Sequence, residues 1–395
     1  MKKPSTNARV IALYLPQFHP TPENDEWWGK GFTEWTNVAK AKPLFPGHYQ
    51  PRVPADLGFY DLRVPETREA QAELAAAHGI EAFCYWHYWF AGRRILERPF
   101  DEVLKSKKPD FPFCLAWAND TWTGVWHGAK NRILIEQTYP GVADYTNHFN
   151  HVLPALTDDR YVKIDGKPLF GVLFQHKIPD TRLFTDTWRE LAHRAGLKGL
   201  HFMALADHGE LAYDAGAAGF DSVGTCNQLQ IHSFVTSMGF RKHYNAANRL
   251  RFGASAANLK QELANHLLVQ KYTAQSLVRA ARRQPRHVYL YKDAMRFFLP
   301  NNDYKVPSYP SLVPDWDHSP RCGGRGVILH GSTPELFRVH ARQVVDSVRQ
   351  FPDDERIVLI KSWNEWAEGN YLEPDLRFGH GYLEALRDEL CRIPG

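Results

Sequence analysis

The sequence predicts an α/β fold: a single (β/α)8 TIM barrel with long βα loops and a basic helical insertion. Three observations predict it. Short apolar runs alternate with helix-patterned segments along the whole chain, as in one closed parallel sheet rather than two domains. At 395 residues, with 44% hydrophobic and 23% charged side chains, the chain can bury one large core, and barrels routinely reach this size. Polar and aromatic residues gather where the apolar runs end, the end at which such barrels carry their chemistry.

Residues 9–15 (RVIALYL) read as a first strand, stopped by Pro16. A polar, aromatic loop runs from Gln17 to about Arg63, and a loop that long inside a compact domain points to function. Residues 65–78 are a helix, with Pro65 at its start, Glu66 in its first turn and Gly79 after its end. A second strand at 80–86, a helix at 100–107 and a third strand at 111–116 follow. The alternation continues with a helix at 142–156, a strand at 169–174, a helix at 181–194 and a strand at 200–205. Strands six and seven fall at 220–223 and 309–313. A helix begins at Ser332 or Thr333, where Pro334 and Glu335 suggest a capping box. Residues 357–360 (IVLI) form an eighth strand buried on both faces, and a last helix spans 381–391.

The insertion, at about 234–300, separates strands six and seven. Residues 241–286 hold ten Lys/Arg against one acid, Glu262, a net of +9 against +4 for the whole chain. Residues 259–283 have helical periodicity with Leu263, Leu267, Leu268 and Leu277 on one face. Such a helix suits peripheral contact with a membrane surface or a lipid-linked glycan, or it covers the barrel with a solvated basic face. No recognised motif supports nucleic-acid binding. The five cysteines are scattered without CxxC spacing, which suggests thiols in a reducing compartment. The apolar run after Lys2 and Lys3 is too short for a signal-peptide core, so a cytoplasmic location is expected.

The chemistry concentrates in residues 356–368, RIVLIKSWNEWAE. Glu365 and Glu368 stand three apart, on one face of a helical turn, between indoles. Paired carboxylates in an aromatic pocket suit glycosidic chemistry, one protonated as acid and one ionised as base or nucleophile. The other reading is two solvated glutamates in the first turn of a helix. Further strand ends favour a site: Tyr14, Gln17 and His19; Tyr85 and His87; Trp117, Asn119 and Asp120; Asp207 and His208; Asp315 and Asp317. The early loop adds Trp28, Glu34 and Trp35, and the last strand adds Trp363 and Asn364, all expected at the substrate. Asp315-Trp316-Asp317 matches the Asp-x-Asp that binds metal and nucleotide sugar in many transferases, but no GxGxxG accompanies it. Its aspartates more simply hold sugar hydroxyls or cap a turn. No HExxH occurs, so no metal is expected, nor any cofactor, and the missing Gly-x-Ser-x-Gly elbow argues against an esterase.

Residues 14–20 (YLPQFHP), 24–38 (NDEWWGKGFTEWTNV) and 363–375 (WNEWAEGNYLEPD) together resemble the WbsX-like family of surface-polysaccharide loci, over nearly the whole chain. The last stretch is also similar to glycoside hydrolase family 99, the endo-α-mannosidase barrels. That second resemblance implies that Glu365 deprotonates the sugar's own 2-hydroxyl. It implies that Glu368 serves the leaving group and then water or an acceptor, with retention through a 1,2-anhydro sugar. Ala367 departs from that family, which usually carries His there. The expected function is therefore action at glycosidic bonds of a surface polysaccharide (O-antigen, capsule or exopolysaccharide type) or its precursor. The alternatives are a glycosyltransferase of polysaccharide biosynthesis and a non-catalytic carbohydrate-binding barrel. In every case the expected partner is an oligosaccharide or polysaccharide.

Overall fold

The structure, a computed structural model, describes residues 6–124, 132–206, 214–225, 287–299 and 304–393. Parallel strands close on one another in chain order: β1 (Arg9–Tyr14), β2 (Ala82–His87), β3 (Phe113–Trp117), β4 (Lys167–Val172), β5 (His201–Ala206), β6 (Ser222–Thr225), β7 (Ser308–Tyr309 and Ser311–Leu312) and β8 (Ile357–Ile360). Closure depends on β7, which Pro310 divides. Its first half pairs with β6, Tyr309 opposite Gly224, and its second half with β8, Leu312 opposite Ile360. Pro310 has no N–H to give, but its carbonyl accepts from Leu359 N at 2.9 Å. The proline thus stands where the strand changes partners and a missing donor leaves the ladder intact. The expected strand limits fall within two residues of these, and backbone pairing rather than side-chain propensity sets the difference.

The long early loop contains two short helices that its composition did not announce, α1 (Pro22–Trp28) and α2 (Glu34–Lys40). Thr21 caps the first, its hydroxyl accepting from Asn24 N at 3.1 Å, and Pro22 fits the first turn. Around the barrel lie α3 (Pro65–Ala77), α4 (Arg98–Ser106), α5 (Val142–Leu156), α6 (Thr181–Arg194), α7 (Pro334–Val348) and α8 (Gly381–Leu390). Helix α4 begins earlier than expected because Pro99 belongs to its first turn. Thr333 caps α7, while the Ser332 hydroxyl donates to Pro314 O at 2.6 Å.

Alternation along the strands decides what reaches the barrel mouth. A Cβ added at Gly224 would stand 2.7 Å from the Leu359 side chain and 2.8 Å from that of Leu205. One at Gly171 would meet the Ala116 Cβ at 2.9 Å, so these positions share the barrel interior and only glycine leaves room. The alternate residues face the helices. The Tyr14 hydroxyl donates to Gln71 of α3 (2.7 Å), the Tyr85 ring lies 5.2 Å from Phe100 of α4, and the Trp117 ring lies 4.9 Å from His148 of α5.

Residues 241–286, with the insertion's charge and its expected helix, lie outside the described residues, as do Asp207 and His208. The insertion's end is described: His287–Leu290 pairs in parallel with Val327–His330, and Tyr291 and Phe298 join Trp316 in a small second core. Cys84, Cys114, Cys322 and Cys391 are free thiols. No helix among the described residues is long and apolar enough to cross a membrane.

Candidate active site

Beyond β8 the chain makes a tight turn that presents the two glutamates. Asn364–Glu365 pairs antiparallel with Asn370–Tyr371, and a 3-10 turn, Trp366–Glu368, joins them through Gly369 at φ +60°. A Cβ on Gly369 would stand 2.8 Å from the Asp317 Cβ and 2.9 Å from its N, so glycine lets two loops meet there. Trp366 stacks on Tyr371 with centroids 3.7 Å apart, and its indole N–H donates to Glu373 at 2.6 Å. The Asn364 amide ties the turn to β1, accepting from Leu15 N (2.7 Å) and donating to Leu15 O (3.0 Å).

Both glutamates open into a pocket of about 300 Å3 at the C-terminal end of the strands, a size suited to a small ligand. Trp28, Phe32, Trp86, Tyr88, Trp122 and Phe174 supply aromatic lining, and Gln17, Glu34, Asn37, Asp120, Arg321 and Lys361 supply polar groups. Arg321 organises the floor. Its Nε donates to Glu34 at 2.8 Å, one terminal nitrogen to Glu368, and the other to Glu365 at 3.3 Å. One guanidinium thus serves three carboxylates, a use of its planar fork of donors that a lysine could not copy. Burial opposes its charge, but the three carboxylates hold it well above its ordinary pKa. Burial, and next the Glu368 charge, push Glu365 up, while Lys361, Arg321 and a hydrogen bond from Trp86 pull it back. His318 stands 3.8 Å from Glu368; burial, and next the Arg321 charge, lower it to about 3, so it is neutral at ordinary pH.

Arg321 is held in place by the loop before it. Asp317 is fully buried, and its carboxylate lies 2.7 Å from His48 Nε2 and accepts from Gln50 (2.6 Å) and from Ser319 N (2.9 Å). Its own N–H donates to Glu368 O at 2.6 Å. Burial alone would raise it, but the His48 hydrogen bond and the Arg52 charge hold it at about 2. Arg52 pairs with Asp315 at 2.8 Å and donates to Gly369 O at 3.0 Å. Burial pushes Asp315 up to about 6 against that arginine. These bonds bind the Asp315–Asp317 loop to the glutamate turn, so Arg321 and Glu368 move as one piece.

The family described as Glycosyltransferase WbsX matches residues 10–386. The chain belongs to the WbsX glycosyltransferase family. Proteins named WxcX from two strains of Xanthomonas campestris pv. campestris are each 35% identical to this WbsX-family chain over 388 residues. That is 98% of the chain but 50% of each relative, so the chain spans about half the length of the curated relatives it matches. Among solved structures, one described as a glycoside hydrolase-like protein is similar with a TM-score of 0.57 at 15% identity, covering 100% of this chain and 96% of that one. The GH99 endo-alpha-mannosidase from Bacteroides thetaiotaomicron, solved with BIS-TRIS-propane, gives 0.53 at 14% identity over 96% of this chain and 95% of its own. At such identities the likeness shows the fold, a barrel of the GH99 type.

Of the residues expected at the site of this WbsX-family barrel, Glu365, Glu368, Gln17, Trp28, Glu34 and Asp120 line the pocket. Asp120 there meets Lys177 Nζ at 2.5 Å. Among the described residues the others do not line it. Tyr14, Tyr85 and Trp117 face the helices, and His87 Nε2 lies 2.9 Å from His148 Nε2 of α5. Asn119 braces the β3 and β4 ends, donating to Phe174 O (2.9 Å) and accepting from Phe174 N (2.8 Å). Trp35 donates to Tyr60 O at 2.8 Å, Trp363 is buried against Phe83, and His19 is buried and thereby lowered to about 4. Asn364 and Asp317 hold backbone and loop as described. The sequence reading missed Arg321, Lys361, Trp86, Tyr88 and Trp122. For Trp86 and Tyr88 a signal existed, since they alternate with Tyr85 and His87. For Arg321 there was none, because three contacts from distant segments define it.

Proposed function

We propose that the chain acts at glycosidic bonds of a surface polysaccharide or its precursor by retaining, glycosidase-like chemistry. The carrying observation is Glu365 and Glu368 side by side on one guanidinium, at the floor of an aromatic pocket in a barrel mouth. In this reading the Glu365 carboxylate takes the proton of the sugar's 2-hydroxyl as that oxygen attacks C1. Protonated Glu368 gives its proton to the departing glycosidic oxygen, leaving a 1,2-anhydro sugar. Water or an acceptor hydroxyl then opens that ring at C1 and passes its proton to Glu368, while Glu365 returns a proton to the 2-oxygen. The raised basicity of buried Glu365 supports its part, and Arg321 and Lys361 let it ionise despite burial. The aromatic walls suit the C–H faces of sugar rings.

The family's description as a glycosyltransferase favours a second outcome, in which an acceptor hydroxyl replaces water or a nucleotide sugar is the donor. NMR-monitored turnover of the surface polysaccharide of the producing cell, with wild type and Glu368→Gln, tests the reading. Cleavage with retained anomeric configuration, without nucleotide sugar and slowed by about a thousandfold in the variant, is expected. Consumption of an added nucleotide sugar and an acceptor, with no cleavage, would overturn it in favour of the transferase.

A further inference from the structure

The pocket holds two cations, and among the described residues only one of them has carboxylates within 4.0 Å. Glu34, Glu365 and Glu368 all bond to Arg321. Lys361, the residue after β8, shares the inward parity of Leu359 and lines the same pocket, 7% exposed. Its ammonium lies 5.6 Å from the Trp86 ring centroid and 5.9 Å from that of Trp316. Among the described residues no carboxylate oxygen comes within 4.0 Å of it, and none accepts a hydrogen bond from it. Two indole faces at that range offset only part of the cost of withdrawing an ammonium from water. This buried ammonium faces a ligand cavity with no hydrogen-bond acceptor among the described residues, so a ligand oxygen can complete it, and a charged oxygen does so most strongly.

Resting on the carbohydrate reading above, we infer that Lys361 receives a carboxylate borne by the sugar, as in a hexuronic acid or a pyruvate ketal. The charge balance favours a monoanion over a phosphate. A dianion would meet more repulsion from the nearby Glu365 and Glu368 than a monoanion would, with only Lys361 free of a close ion pair to offset it. The substrate class is thus an acidic glycan, with its acid-bearing ring seated at Trp86.

The test compares short hexuronate-containing oligosaccharides with their carboxyl-reduced counterparts. Binding is measured by calorimetry on Glu368→Gln chains that carry Lys361, Lys361→Met or Lys361→Arg. With Lys361 the acidic form should bind about tenfold or more tightly than the reduced one, as for a charge-assisted hydrogen bond. Lys361→Met should bring the ratio close to one, and Lys361→Arg should keep most of it. A ratio near one with Lys361 in place, or a ratio that Lys361→Met leaves unaltered, overturns the assignment while the sugar site stands. In that case the ammonium serves Glu365 alone. Failure of both forms of every pair to bind removes the carbohydrate reading itself. Near-ultraviolet circular dichroism of each variant separates lost recognition from lost folding.

Discussion

Replacing Arg321 by Met removes the one cation that three pocket carboxylates share. A charge-assisted hydrogen bond contributes about 1.5–3 kcal/mol. Here the three contacts draw on one guanidinium and on one desolvation penalty, so they do not add in full. Side-chain exposures of 18% for Arg321, 2% for Glu34, 6% for Glu365 and 13% for Glu368 place the cluster among buried pairs. Breaking such a pair costs about 3–5 kcal/mol, and the open pocket brings the expected loss to about 3 kcal/mol near neutral pH. The pH dependence is the sharper sign. Glu365 is already raised by burial and by Glu368, and Arg321 is one of the groups that lower it, so the variant raises it further. A carboxyl raised above its unfolded pKa of about 4.3 binds more protons folded than unfolded between the two values. Its stability contribution falls as pH rises through that window and is fully lost above the folded pKa. Urea unfolding at about pH 5 and about pH 8 should therefore show a larger deficit for Arg321→Met at the higher pH. Equal deficits at both, or a loss under about 1 kcal/mol at the higher pH, would refute the shared-cation account.

Two further outcomes follow from parity and from burial. Trp86→Ala should weaken oligosaccharide binding roughly tenfold by removing a pocket wall, while Tyr85→Phe, which faces α4, should leave the Kd unchanged; calorimetry that reversed the order would refute the inward assignment of Trp86. Burial pushes Glu373, beneath the site, up to about 7 against hydrogen bonds from Trp366, Gln71 and Tyr60. A rise from about 4.3 makes stability fall by on the order of 3 kcal/mol as pH climbs through that interval, and Glu373→Gln should flatten that part of the curve. An unaltered slope in urea titrations across the interval would place the dependence on another group.

The barrel was legible because its signals are local. Apolar runs, helix starts and turn residues each lie within a few positions, and the glutamate turn is continuous with the run that builds β8. The mouth was less legible because a side chain's face depends on strand phase, and a shift of one residue inverts it. Choosing Tyr85 and His87 over Trp86 and Tyr88, or Trp117 over Ala118, is that single shift made twice. The chemistry of the residue types offered no correction, since tyrosine, histidine and tryptophan are all plausible beside a sugar. What would have fixed the phase is the interior of the barrel. Gly171 must face Ala116, and counting two onward from each gives Leu173 and Ala118, both at the pocket.

Arg321 marks a different boundary. The Asp315-Trp316-Asp317 tripeptide drew attention as a ligand for sugar hydroxyls or metal, because exposed aspartates in a strand-end loop would serve that purpose. Folded, Asp317 is fully enclosed by His48, Gln50 and Ser319 N, and Asp315 is taken by Arg52. Three of those partners come from the early loop, more than two hundred positions away, so no local pattern could reveal them. The acidic pair is therefore the frame, and the function it supports passes to the side chain four residues on. Arg321 reaches the glutamates because Asp317 fixes the start of its turn and donates its own N–H to Glu368 O. A substitution at Asp317 should thus act on the pocket through Arg321 and Glu368 together, although its carboxylate never enters the pocket.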